Sequence, residues 1–260
     1  MQARRKIAVA GATGRVGRHV VDVLEARGHD VVAMARSRGV DVVTGDGLAE
    51  ALTGVECVID AATWPSPDQE AATAFFTAAA RNLHEAGVRA GVQRMVVVSI
   101  IGCDRFTSGY GAAKFAHEKA HLSGPIPVRI LRAAQFHEFV AQMVEWGMQG
   151  EVCYVPRMRT QLVAARAVAE ALADLATDPE PVPPQGSAEA PILEIAGPRE
   201  EDFVDIANLF VARRGHAVKI EAVSAPDDPD HDLYEKGLLL PGPDATLAGP
   251  TFQEWLDSTS

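Results

Sequence analysis

Three glycines at spacing G-x-x-G-x-x-G constrain this chain more than any other feature. They lie in Gly11-Ala12-Thr13-Gly14-Arg15-Val16-Gly17, after a short apolar run at 7–10 and before a stretch in which Val16, Val20, Val21 and Leu24 recur at helical period. The apolar run is of the kind a buried parallel strand shows. Strand, glycine turn and helix, in that order, aim the free N–H groups of a helix N-terminus at an anion. Glycine is needed because the turn is tight and a side chain would hold a diphosphate away from the backbone. The stretch is expected to bind a dinucleotide through Gly11, Thr13, Gly14, Arg15, Val16 and Gly17.

The residue that selects between the two nicotinamide cofactors belongs about twenty positions further on, at the end of the second strand, expected over 29–36. An acid there would accept bonds from a ribose 2'-hydroxyl. This chain has Arg36-Ser37-Arg38, two cations and a hydroxyl that suit a 2'-phosphate, so NADP(H) is favoured over NAD(H). A third strand is expected over 40–46, ending at Asp46, and a fourth over 55–63, ending in Ala61-Ala62-Thr63. An Ala-rich helix over 68–86 and a strongly apolar fifth strand over 94–100 follow. Alternation at this spacing predicts an α/β fold built on a doubly wound parallel sheet. Ala10, Arg36, Asp46, Thr63 and Ser99 fall at strand ends and are expected to surround one crevice.

Gly109 opens the next helix, where Tyr110 and Lys114, four apart, share a face. A phenol near a lysine cation ionises more readily, which suits proton transfer at a carbonyl or alcohol. The same helix carries His117-Glu118-Lys119-Ala120-His121, the H-E-x-x-H spacing of zinc hydrolases, with Glu138 as a conceivable third ligand. Charged neighbours and Gly124-Pro125 soon after argue instead for polar residues on an outer helix face, and no metal is expected. A sixth strand over 128–132 leads into Gln135, Phe136 and His137, then a short strand over 151–156, Gln161 and a helix over 164–176. A proline-rich surface loop spans 178–191. Beyond it lie a strand within 191–198, a helix over 203–214 and a strand over 217–223. The Pro/Asp/Gly-rich stretch 224–250 suits a substrate-side lobe, a lid or a disordered segment, and 251–256 a closing helix.

Composition bounds the function. A net charge of -11 argues against nucleic acid as a partner. No apolar run nears the ~20 residues of a membrane span. Cys57, Cys103 and Cys153 show no paired spacing, which fits a reducing cytoplasm. The first six residues run straight into the first strand, so no signal peptide is expected.

The chain resembles the NmrA-like NAD(P)-binding proteins of the atypical short-chain dehydrogenase/reductase superfamily. The resemblance is carried by the glycine turn, Val97-Val98-Ser99-Ile100-Ile101-Gly102, Tyr110-Gly111-Ala112-Ala113-Lys114 and Ile130-Leu131-Arg132-Ala133-Ala134-Gln135-Phe136-His137-Glu138. It implies one NAD(P)-binding domain over 1–260, with a Rossmann core of about 1–134 and 160–177 and substrate-side segments of about 135–159 and 178–260. It implies Ala61, Ala62 and Thr63 at the nicotinamide side, Ser99, Tyr110 and Lys114 as the catalytic set, and Lys114 also on the ribose. Gln135, Phe136, His137 and Gln161 would face a small-molecule substrate. The function expected is NADPH-dependent reduction of a small carbonyl, enone or quinone. The alternative is a non-catalytic NADP(H)-sensing regulator whose 224–250 lobe answers to occupancy. Helical faces leave a homodimer open.

Overall fold

The computed structural model describes residues 3–66, 68–182, 192–215, 218–225 and 228–259. The chain opens with β1 (Lys6–Ala10), α1 (Gly17–Ala26), β2 (Asp30–Met34), α2 (Leu48–Ala51), β3 (Cys57–Asp60), α3 (Gln69–Ala90) and β4 (Arg94–Ile100). It continues with α4 (Gly109–Leu122), β5 (Val128–Ala133), α5 (Val140–Gly147), β6 (Met148–Gln149), β7 (Val152–Pro156), β8 (Arg159–Thr160) and α6 (Ala165–Thr177). It closes with β9 (Ile192–Ala196), β10 (Glu201–Asp202), α7 (Phe203–Arg213), β11 (Lys219–Val223), α8 (His231–Glu235), β12 (Thr246–Leu247) and α9 (Phe252–Ser258).

Seven strands make one parallel sheet in the order β12-β9-β5-β4-β3-β1-β2, the doubly wound α/β architecture that the sequence predicts. β1 pairs with both β2 and β3, placing Ala10 beside Met34 on one side and Asp60 on the other. The chain leaves β1 toward one edge and returns past it to β3. The turns after β1 and β3 therefore open at the point where the winding reverses, where such sheets bind ligands.

Two compact units divide the chain, the first made of 1–99, 108–132 and 168–193, the second of 100–107, 133–167 and 194–260. In the first, β1 and β3 are buried along almost their whole length, as strands covered on both faces must be. Val58, Met95, Val97, Val128 and Ile130 pack there with Leu83 and Leu52. In the second, Val140, Val144, Phe203, Ile206, Phe210, Phe252 and Leu256 make a separate core around Cys153 and Val155.

The segment 40–46 is not a strand. Gly39, Gly45 and Gly47 all take positive φ, and the Asp41 carboxylate accepts the amides of Val43 and Thr44. The Asn82 amide donates to the carbonyls of Val42 and Val43. These bonds consume the backbone groups that a neighbouring strand would need, and Val40 and Val42 still pack on the core from a turn. Most of the proline-rich stretch 178–191, from 183 onward, lies outside the described residues. The described part of 224–250 carries α8 and β12. α9 begins with a reciprocal cap in which Thr251 Oγ1 accepts the Glu254 amide and the Glu254 carboxylate accepts the Thr251 amide.

Candidate active site and cofactor cradle

The glycine turn earns its three glycines differently. Gly11 has φ +71°, and a Cβ there would lie 2.6 Å from the Ala61 carbonyl oxygen. A Cβ on Gly17 would lie 2.1 Å from the Gly11 oxygen. Both are fixed by close packing of the turn against itself and the exit of β3. At Gly14 the nearest atom is the Gly11 oxygen at 3.1 Å, so its outer side is open to a ligand. α1 starts with no side-chain cap and no acid in its first turn, leaving the positive end of the helix for an anion. Thr13, Arg15 and Arg18 are exposed beside it, while Val16 is buried. These features fit a diphosphate.

After β2, Arg36, Ser37 and Arg38 form an exposed single turn of 3-10 helix. Arg36 and Asp46 line one pocket of about 230 Å³ with Gly39, Val40 and Asp41. Asp46 reaches it from a turn rather than from the strand end expected of it.

At the exit of β3, Ala61 and Ala62 are buried and Thr63 is exposed. Thr63 Oγ1 lies 2.6 Å from Tyr110 Oη, which comes from the first turn of α4. Burial pushes the Tyr110 phenol above its ordinary value, and the bond to Thr63 offsets this only in part. The expected easing of ionisation by Lys114 is therefore not what the structure has; Tyr110 keeps its proton. Lys114 is 4% exposed. Its Nζ donates to the Val98 carbonyl at 2.9 Å, next to buried Ser99, and lies 2.9 Å from His117 Nδ1. The Phe76 ring packs edge-on to Tyr110, 4.6 Å below Lys114 Nζ, and its centroid is 4.7 Å from that of His117.

The H-E-x-x-H residues are not on an outer face. His117, Glu118 and His121 are 0%, 1% and 0% exposed. A helix that packs against both α3 and the sheet has too little outer face to hold all of them. Glu118 accepts two bonds from Arg132, at 2.7 and 2.9 Å, in a buried bidentate pair. It is committed to structure and is no general base. Glu138 accepts the Ala165 amide at the start of α6 instead of joining the histidines.

The partner of both imidazoles is Asp60, the charged residue that ends the all-buried β3. His117 Nε2 and His121 Nε2 each lie 3.0 Å from Asp60 Oδ2 and 3.1 Å from one another, while the Ala62 amide donates to Oδ1. Three such atoms are close enough to surround a cation. The donor chemistry favours hydrogen bonds. A metal on His117 Nε2 would leave the proton on Nδ1, opposing the Lys114 ammonium donor at 2.9 Å. Burial raises Asp60, but the bonds from His117 and His121 outweigh it and hold the carboxyl well below its ordinary range. Burial, then Lys114, lowers His117 to about 3. The set is thus a carboxylate held by two imidazoles, of which His117 is kept neutral by burial and by Lys114. Its charge was legible as a lone Asp closing an apolar strand; its partners were not.

The substrate-side residues belong to the second unit. Gln135 Oε1 accepts Thr160 Oγ1 at 2.7 Å, and Gln161 Nε2 donates to the Gly197 carbonyl at 2.7 Å. Phe136 bridges to Val163. His137 is buried, with Nε2 donating to the Pro250 carbonyl at 3.0 Å and its ring against both Phe252 and Trp255. Burial lowers its basicity, and its ring serves packing in that core.

Among solved structures, MoeE5 in complex with UDP-glucuronic acid and NAD is similar, at TM-score 0.72 and 19% identity over 97% of this chain and 96% of that one. The dTDP-4-dehydrorhamnose reductase of Bacillus anthracis in complex with NADP matches at TM-score 0.70 and 16% identity, covering 98% of both chains. A short-chain dehydrogenase/reductase superfamily protein of Agrobacterium tumefaciens with bound NAD matches at TM-score 0.66 and 20% identity over 98% and 95%. The comparison with curated proteins finds no match. Among the described residues no helix is long and apolar enough to cross a membrane. The family model for NAD(P)H-binding proteins matches residues 11–179, from the first glycine of the turn to the end of α6. With the cradle, the pocket after β2 and the Tyr110 hydroxyl disposed as described, the chain belongs to the NAD(P)H-binding family.

Proposed function

We propose that the protein is a cytoplasmic NADPH-dependent oxidoreductase that reduces a small carbonyl, enone or quinone. The observation that carries this reading is the 2.6 Å contact between Thr63 Oγ1 and Tyr110 Oη beside the exit of β3. It sets a protonated phenol next to the glycine cradle, at the reversal of the sheet. When bound, the nicotinamide supplies the hydride. The backbone of Gly11–Gly17, with Arg15, holds the diphosphate. Arg36, Ser37 and Arg38 hold the 2'-phosphate, supported by their exposure and by Arg36 lining the same pocket as Asp46. Ala61, Ala62 and Thr63 wall the nicotinamide side.

Tyr110 Oη gives its proton to the substrate oxygen as charge gathers there, and Thr63 Oγ1 supports the phenolate that remains. Lys114 holds the ribose. Ser99 orients the carbonyl. The cofactor-binding core is about 1–134 and 160–177. Screening NADPH consumption against quinones and aromatic ketones tests the reading, with Tyr110→Phe as control. Turnover that depends on Tyr110 is expected. No turnover with any carbonyl class, together with unequal affinity for NADP+ and NADPH, would contradict it and favour a cofactor sensor.

A further inference from the structure

Lys114 sits at the end of a chain of hydrogen bonds that leads away from the cofactor cradle into the core. We propose that Asp60 and His117 are positioning residues for Lys114, with Asp60 acting through the imidazole as the buried counter-ion of its ammonium. The inference rests on the oxidoreductase reading only for what Lys114 does to cofactor and substrate; the chain of bonds stands without it.

Acceptors of Lys114 Nζ include the Val98 carbonyl and His117 Nδ1, each at 2.9 Å. An ammonium only donates, so His117 Nδ1 must present its lone pair, and the single proton of the neutral ring must sit on Nε2. Nε2 points at Asp60 Oδ2, 3.0 Å away. Asp60 thereby fixes the tautomer that Lys114 needs. With the tautomer reversed, two donors would oppose each other at the Lys114 end of the ring and two lone pairs at the Asp60 end.

The charges also require it. Lys114 and Asp60 are both buried, and a buried charge is tolerated only when paired. The Asp60 carboxylate is fully engaged, by the Ala62 amide on Oδ1 and by His117 and His121 on Oδ2. Titratable groups facing this chain among the described residues include His84 from α3, whose ring is 5.3 Å from that of His121, Asp60 from β3, and Tyr110 and His121 from α4. Phe76 contributes an uncharged wall.

The test uses the whole protein without cofactor or substrate, so its outcome is independent of whether the enzyme reading holds. Nitrogen-15 spectra of the histidine rings and of lysine Nζ are followed from pH 5 to pH 10. The expected result is His117 protonated at Nε2 alone across this range. The Lys114 signal is expected to titrate at lower pH in His117→Leu than in the parent, with parent-like behaviour in His117→Gln, whose amide can both donate and accept. Asp60→Asn is expected to shift Lys114 in the same direction as His117→Leu. Should Asp60→Asn not fold, the two His117 variants carry the test. A His117 ring protonated at Nδ1 would overturn the proposal, as would Lys114 titration unmoved in His117→Leu. So would one equivalent of Zn2+ held tightly by the parent and lost in His117→Gln.

Discussion

Thr63 Oγ1 and Tyr110 Oη meet at 2.6 Å although 47 positions separate them in sequence. One follows β3 and the other opens α4, so the contact exists only once α4 has packed beside the exit of β3. Tyr110→Phe removes the proposed proton donor and leaves the ring contact with Phe76 in place. With NADPH and a reducible quinone or ketone, kcat is expected to fall about 100-fold or more, the usual scale for a lost general acid. The dissociation constant of NADPH should change by less than about threefold, since the phenol lies outside the cradle. Because burial raises the phenol and the protonated form is the donor, parent activity should be lost only above the ordinary tyrosine range. A decline centred near neutrality would assign the proton to another group.

On the proposed reading, Arg36 selects the cofactor. Its guanidinium is exposed beside the pocket it shares with Asp46. Arg36→Ala should weaken NADPH about tenfold or more, the scale of one charge-assisted bond, and leave NADH nearly unchanged. Fluorescence titration of the two reduced cofactors measures both, and an unaltered ratio would remove Arg36 from recognition.

Glu118 and Arg132 test the reassignment of the H-E-x-x-H motif. Removing one member of a buried bidentate pair leaves the other charge unpaired, at a cost of about 3–5 kcal/mol. Glu118→Ala should lower the urea midpoint accordingly, with added zinc giving no recovery. A change below about 1 kcal/mol would mean that the pair is better solvated than its burial implies.

How much of this was legible in the sequence depended on the range of the interaction concerned. β4 is foreseen at 94–100 because Met95 to Val98 and Ile100 make a nearly unbroken apolar, largely β-branched run, and the structure has Arg94–Ile100. The closing helix is legible over 251–256, and in the structure the cap of Thr251 and Glu254, three apart, starts it locally. The turn at 40–46 was misread because Val40-Asp41-Val42-Val43 resembles a strand, whereas the Asn82 amide that holds it comes from α3. His117 and His121 were misplaced for the same reason. Their partner, Asp60, is 57 and 61 positions away, and local charge density cannot show that a helix face is covered on both sides.

Acid should weaken the fold before it touches the chemistry. Burial first, then the neighbouring His121, lowers His84 to about 4, and His117 lies at about 3. Both are depressed from 6.5, so between about 4 and 6.5 the unfolded chain binds more protons than the folded one, and stability falls as pH falls. Each imidazole contributes up to about 1.4 kcal/mol per pH unit over that window. Asp60, depressed as a carboxylate, adds a further loss only below the unfolded carboxylate range. Urea unfolding at a series of pH values should show this slope, reduced in His84→Asn; stability constant from pH 7 to pH 4 would show that neither imidazole is held neutral.

On the proposed function, the amides around Gly14 hold the diphosphate and the basic turn after β2 holds the 2'-phosphate. Isothermal titration of the folded protein with NADPH and with NADH measures their grip directly. The expected result is one NADPH per chain, bound more tightly than NADH. No heat from either nucleotide would contradict the account at its root.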